Sequence, residues 1–210
     1  MKSELLKAAR AHAIPAGEDG LWSVRKFTLS KPLVVNREQQ NVLLPPDTYT
    51  QLFCLTESTM HLLGECVMHD TPEELNKHLQ FMLLARGSVL ITGLGLGCVV
   101  RGTLANPNVT HVTCIERSPS IMKLVAPYMP KERLTIIEAD ALEWVKRPGE
   151  WRFDCAWHDL WSNPDRKEPH LQVNHMQMIC DLISSERVAF QGAWAFPKDQ
   201  RRLMKPLNVI

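Results

Sequence analysis

The 210-residue chain is 45% hydrophobic and 22% charged, which excludes a disordered chain and allows one domain, or one domain with an appendage. Lys and Arg number 24 against 23 Asp and Glu, a net charge of +1, which argues against a body that tracks nucleic acid. No apolar run reaches the length of a membrane span and the polar N-terminus is not a signal peptide. The six scattered cysteines read as reduced thiols, so a cytoplasmic protein without a membrane partner is expected.

Residues 3–13 (SELLKAARAHA) favour a helix that Pro15, Ala16 and Gly17 end. Residues 21–29 alternate apolar and polar side chains, as a half-buried strand does. Short apolar runs follow at Leu33–Val35 and Val42–Leu44. Pro45-Pro46-Asp47 marks a turn, and Thr48–Thr56 reads as another strand. Residues 1–70 are therefore expected to form a helix and a small antiparallel β appendage. At Thr71 the pattern changes. Thr71 reads as a helix cap, Pro72 as the first helical residue and Glu74 as the partner closing a capping box, with the helix running to about Ala85.

From Gly87, strand and helix alternate. Strand 88–92, a tight loop over Gly93–Gly97 and a helix to about Ala105 are followed by strand 111–116 and a helix from Ser118 to about Tyr128. Strand 134–139, helix 141–146 and strand 153–159 complete the series. Alternation of this kind predicts an α/β fold with a doubly wound, mostly parallel sheet and right-handed crossovers. A polar loop (162–169), a helix (171–184) and an apolar piece at Val188–Phe190 come next, and a basic tail starts at Lys198. The expected division is 1–70, an α/β domain over 71–197, and a tail over 198–210.

The loop Gly93-Leu94-Gly95-Leu96-Gly97 follows a strand and opens a helix, so its backbone can turn sharply and approach a ligand beside the free N–H groups of the helix start. A glycine-rich turn without a ligand is the plain alternative. Glu116 ends the second strand about 20 residues further on, where a nucleotide-binding fold places a carboxylate for ribose hydroxyls; a solvated strand-end charge is the alternative there. Asp140 follows the third strand and Asp159 ends the fourth. Four consecutive strands thus carry a glycine loop and three acids at the edge where open parallel sheets bind ligands.

At these residues the chain resembles the class I S-adenosylmethionine-dependent methyltransferases and, among their relatives, the spermidine synthases, over about residues 62–165. The resemblance implies a Rossmann-like methyltransferase sheet and S-adenosylmethionine, or its decarboxylated form, as cofactor. It puts Thr92, Gly93, Leu94, Gly95 and Gly97 beside the methionine part, Glu116 and Arg117 at the ribose, and Asp140 and Ala141 at the adenine. It sets Asp159 toward the reacting centre, with His158 beside it as a second proton acceptor. The phrase HVTCIERSPSIMKLV and the N-terminal β extension are similar to the spermidine synthases, as is Leu63–Met68 followed by a helix with His78. The chain departs from that branch at Met68, where a glutamine stands, at Lys77 and Leu79 around His78, and at Leu96, where an acid stands. It also departs after Asp159, where the sequence reads Leu160-Trp161-Ser162-Asn163-Pro164. The carboxylates that hold a diamine are thereby depleted, which favours methyl transfer to an unidentified small acceptor. Aminopropyl transfer and non-catalytic cofactor binding remain the alternatives. A nicotinamide dehydrogenase is disfavoured by Cys98 at the third fingerprint glycine.

Trp161 and His78 are substrate-side candidates; a Trp packed beneath its loop and a core histidine are the plain alternatives. His61, Cys66, His69 and His78, and likewise His170, His175 and Cys180, lack the spacing of a metal site, and no metal is expected. The N/D-PP-Y/F signature of nucleobase methylation is absent, and no nucleic-acid partner is expected. Residues 160–210 hold room for a loop, a helix and one strand rather than a regular closing pair of strands. The expectation is a C-terminally shortened fold in which the usual wall of the substrate site is missing or supplied by the β appendage or by a second subunit, through a homodimer formed by that appendage.

Overall fold

The computed structural model describes residues 1–37, 40–55, 64–147, 151–160 and 188–193. Helix α1 spans Lys2–Ala8 and is followed by strands β1 (Gly17–Asp19), β2 (Trp22–Leu29), β3 (Leu33–Arg37), β4 (Gln40–Leu44), β5 (Asp47–Cys54) and β6 (Glu65–His69). Strands β1, β2, β5 and β6 form an antiparallel sheet in the order β1-β2-β5-β6, and β3 and β4 form a separate hairpin. The rest alternates: α2 (Pro72–Leu84), β7 (Gly87–Thr92), α3 (Cys98–Leu104), β8 (Val109–Glu116), α4 (Pro119–Val125), β9 (Leu134–Glu138), α5 (Ala141–Val145), β10 (Phe153–His158) and β11 (Val188–Ala193).

The five strands of the second sheet lie in the order β11-β10-β7-β8-β9, and every pair is parallel. The chain leaves central β7 toward β8 and β9, then returns to the other side of β7 with β10 and β11. That reversal is the switch point at which such sheets open a crevice beyond their carboxyl ends. Burial follows from the run SVLIT: Val89, Leu90 and Ile91 are each 0% exposed. Val89 and Ile91 join the large core with α1, α2 and α3, while Leu90 faces the smaller core with Ala141 and Val145 of α5. Both faces are covered, as the unbroken apolar run of a doubly wound strand requires.

Four details differ from expectation. Helix α1 stops at Ala8 because Asp70, far along the chain, takes the N–H of Ala11 at 2.8 Å. Thr71 precedes α2 but makes no cap bond; its hydroxyl pairs with His69 Nδ1 at 2.8 Å, so no capping box forms. Glu74, the supposed closing residue, bonds Lys77 Nζ at 2.7 Å. Strands β1 and β6 form where no strand was predicted. Ser118 does cap α4, accepting the N–H of Ile121, and α4 also joins the two sheets through the Lys123–Asp19 ion pair. The predicted loop over 162–169, helix over 171–184 and tail from Lys198 lie outside the described residues. Among the described residues no helix is long and apolar enough to cross a membrane.

Candidate functional site

Gly93, Gly95 and Gly97 all adopt positive φ, at 93°, 50° and 71°. At Gly93 a side chain is barred twice. The backbone conformation strains any L residue, and a Cβ would run into the carbonyl of Asp159. Asp159 N–H in turn donates to Thr92 O at 2.9 Å, so β7 and β10 are drawn together where their ends meet the crevice. Gly97 starts α3 in the left-handed conformation, against Met129 and Arg101.

Glu116 ends β8 with 7% of its surface exposed. Its Oε2 accepts the N–H of Leu94 from the glycine loop at 2.8 Å, and its Oε1 accepts the N–H of Ser118 at 2.8 Å. Each oxygen keeps a lone-pair direction for a second donor. The loop and the start of α4 thus aim one carboxylate from both sides. Asp140 precedes α5 and caps it, with Oδ1 accepting from Leu142 at 2.8 Å and from Glu143 at 3.2 Å.

Gly93, Gly95, Glu116, Arg117, Asp140, Ala141 and Asp159 all line one cavity of about 340 Å³. This falls within the range of small-molecule sites, about 300–1,000 Å³. Glu74 of α2 lines it too, although it was read only as a helix-capping residue; its signal was its place one turn before His78 on the same face of α2. Among the described lining residues Arg117 is the one cation, against four carboxylates: Glu74, Glu116, Asp140 and Asp159. Such a cavity suits a ligand that carries positive charge. Burial, reinforced by the charges of Glu74 and Glu116, raises the Asp159 carboxyl to about 7. By surface area Asp159 is half-buried.

The N-terminal sheet supplies the facing wall: Trp22 from β2, Leu52 from β5, and Val67 and Met68 from β6. Thr92, Leu94 and Gly97 are buried and do not line the cavity. His158 is fully buried and does not line the cavity. Its Nε2 lies 3.1 Å from Gln191 Oε1, which only accepts, so Nε2 carries the proton and Nδ1 accepts from Thr92 Oγ1 at 3.0 Å. Burial lowers its pKa to about 4. His78 is likewise buried, meets Trp157 edge-on, and has no hydrogen-bond partner for either ring nitrogen among the described residues. Burial lowers it to about 4 as well. Trp161 lies outside the described residues. Cys98 and Cys114 are fully buried, which pushes their thiols up and away from nucleophilic use. Among the described residues no three His, Cys, Asp or Glu side chains stand together as metal ligands.

No protein-family model and no curated protein matches the sequence. Among solved structures, the chain is similar to the spermidine synthase of Thermotoga maritima, at 17% identity and a TM-score of 0.43 over 80% of this chain and 52% of that one. A spermidine synthase in complex with the transition-state analogue AdoDATO aligns at 14% identity and a TM-score of 0.45, over 80% and 52%. Human methyltransferase-like protein 13 in complex with SAH aligns at 16% identity and a TM-score of 0.38, over 55% and 59%. The chain spans about half the length of the spermidine synthases it matches. With its all-parallel sheet order, glycine loop and acid-tipped strands, the chain has a doubly wound, Rossmann-like α/β fold.

Proposed function

We propose that this chain is an S-adenosylmethionine-dependent transferase, with methyl transfer to a small-molecule acceptor as its activity. One observation carries the reading: Glu116, its two oxygens fixed by the amides of Leu94 and Ser118, lines the same cavity as Asp140 and Asp159. When bound, S-adenosylmethionine supplies a methyl group already activated on a sulfonium. Glu116 holds the ribose hydroxyls, with Arg117 beside it at the rim. Asp140 and Ala141 flank the base. Thr92, Gly93, Leu94, Gly95 and Gly97 shape the loop beside the tail. Asp159, with its carboxyl raised to about 7, is poised near neutral pH to take a proton from the acceptor. His158 supports that strand end through Thr92 and Gln191 rather than by touching the acceptor.

Glu74 favours a second reading. It restores a carboxylate to a cavity whose motif departures had removed several, and so suits a cationic amine acceptor, including the acceptor of an aminopropyl transfer. The two readings part on the donor: methyl transfer requires the intact cofactor and aminopropyl transfer its decarboxylated form.

The test is calorimetric titration of S-adenosylhomocysteine into the wild type, Glu116→Ala and Asp140→Ala. Each substitution is expected to weaken binding by about 1–3 kcal/mol, the scale of hydrogen bonds to charged groups. Unchanged affinity in both variants would sink the pocket assignment.

A further inference from the structure

Val67 and Met68 are adjacent on a strand, and adjacent side chains ordinarily point to opposite faces. Both nevertheless line the cavity. The register explains how: Leu52 pairs with Met68 and Phe53 with Cys66, so Val67 is the extra residue of a bulge. The bulge brings Met68 onto the glycine loop. Its Sδ accepts the N–H of Leu96 at 3.2 Å and stands 2.9 Å from where a Cβ on Gly95 would be. The sulfur therefore fills the approach that the glycine leaves open, and it occupies a loop amide with one of the weakest acceptors a protein contains.

We infer that Met68 tunes specificity: its thioether holds the Leu96 amide in reserve, only a ligand whose tail ends in a carboxylate displaces it, and that exchange lowers the advantage such a ligand would have over a free amide. The inference rests on the cofactor reading above. A carboxylate exchanges N–H···S for a charge-assisted bond about twice as strong as a neutral one. A tail without a carboxylate has nothing to exchange, and meets the sulfur as a steric wall.

The probes are S-adenosylhomocysteine and its decarboxylated counterpart, titrated into the full chain and into Met68→Leu, a near-isosteric change expected to keep the fold. Leucine cannot accept a hydrogen bond, so the amide is left unanswered until a carboxylate arrives. The affinity ratio favouring S-adenosylhomocysteine is expected to rise about fivefold or more, the low end for an unpartnered buried amide. An unchanged or reduced ratio overturns the inference. A second readout uses the wild-type chain labelled with 13C at the methionine methyls, with Met68 assigned by its loss in the variant. Its resonance is expected to move with S-adenosylhomocysteine and to stay with the decarboxylated compound; equal movement with both, or movement with neither, overturns the inference. If neither compound binds the wild type, the cofactor reading itself falls and takes the inference with it. If both bind but fail the ratio or resonance test, only the role of Met68 falls.

Discussion

Acidification sets three groups of the fold against one another. His78 and His158 are held neutral in the fold, with pKa values lowered from 6.5 to about 4. Asp159 is raised from 3.8 to about 7. Between about pH 6.5 and 4 the unfolded chain binds a proton at each histidine that the folded chain refuses. Stability from the histidines is therefore complete above the unfolded value and is lost as pH falls toward the folded one. Asp159 runs the other way: over the same window the folded chain holds a proton that the unfolded chain has released, so its contribution grows as pH falls. Each group is worth about 1.4 kcal/mol per pH unit. Two histidines against one carboxyl leave a net loss of about 1.4 kcal/mol per unit of acidification. Asp159→Asn removes the opposing group and should double the slope to about 2.7 kcal/mol per unit, and His78→Leu should bring it close to zero. The assay is urea unfolding, followed by tryptophan fluorescence and circular dichroism at several pH values between about 5 and 6.5, with the denaturant slope held common. Only the dependence on pH is compared, so packing lost in either variant shifts the intercept without affecting the result. A slope that flattens in Asp159→Asn, or steepens in His78→Leu, refutes the assignment of these groups.

Asp70 is completely buried and its carboxylate accepts from Ala11 N, Thr50 N and Arg10 Nε at 2.8, 2.7 and 3.1 Å. Asp70→Ala is expected to cost about 3–5 kcal/mol in chemical denaturation, the scale for breaking a buried charged pair, and a cost below about 1 kcal/mol would refute its role as a tie. Gly93→Ala should cost at least about 2 kcal/mol and abolish S-adenosylhomocysteine binding, since both φ and the Asp159 carbonyl oppose a side chain. Gly17→Ala, whose Cβ would merely touch Leu124 at 3.5 Å, is the control and should change the melting temperature little. Equal melting temperatures for the two variants would mean that the loop is not held as described.

Much of the architecture was legible because its causes are local. Val89, Leu90 and Ile91 announce a strand covered on both faces, and Glu116, Asp140 and Asp159 follow strands at the same edge. What escaped prediction depends on partners distant in sequence. The end of α1 is decided by Asp70, and no propensity within residues 1–14 contains that information. Thr71 has the residue type of a cap, but His69 competes for its hydroxyl once β6 forms. Strand β6 itself has no clear alternation, because its bulge breaks the period of two that would have revealed it. Glu74 was assigned a local hydrogen bond, whereas the packing of α2 turns it toward the cavity. Even the three acids were legible only as positions; that Glu116 is clamped by Leu94 and Ser118, while Asp140 is partly committed to α5, is tertiary information.

The Asp70 tie also bears on the order in which the molecule can assemble. The amides of Ala11 and Thr50 share one carboxylate that arrives later in the chain than either of them. During synthesis, the antiparallel strands can begin to pair while that acceptor is still to come. Arg10, Ala11, Thr50 and Asp70 all lie within residues 1–70, so the tie closes the appendage on itself and delivers the chain to the start of α2 at Pro72.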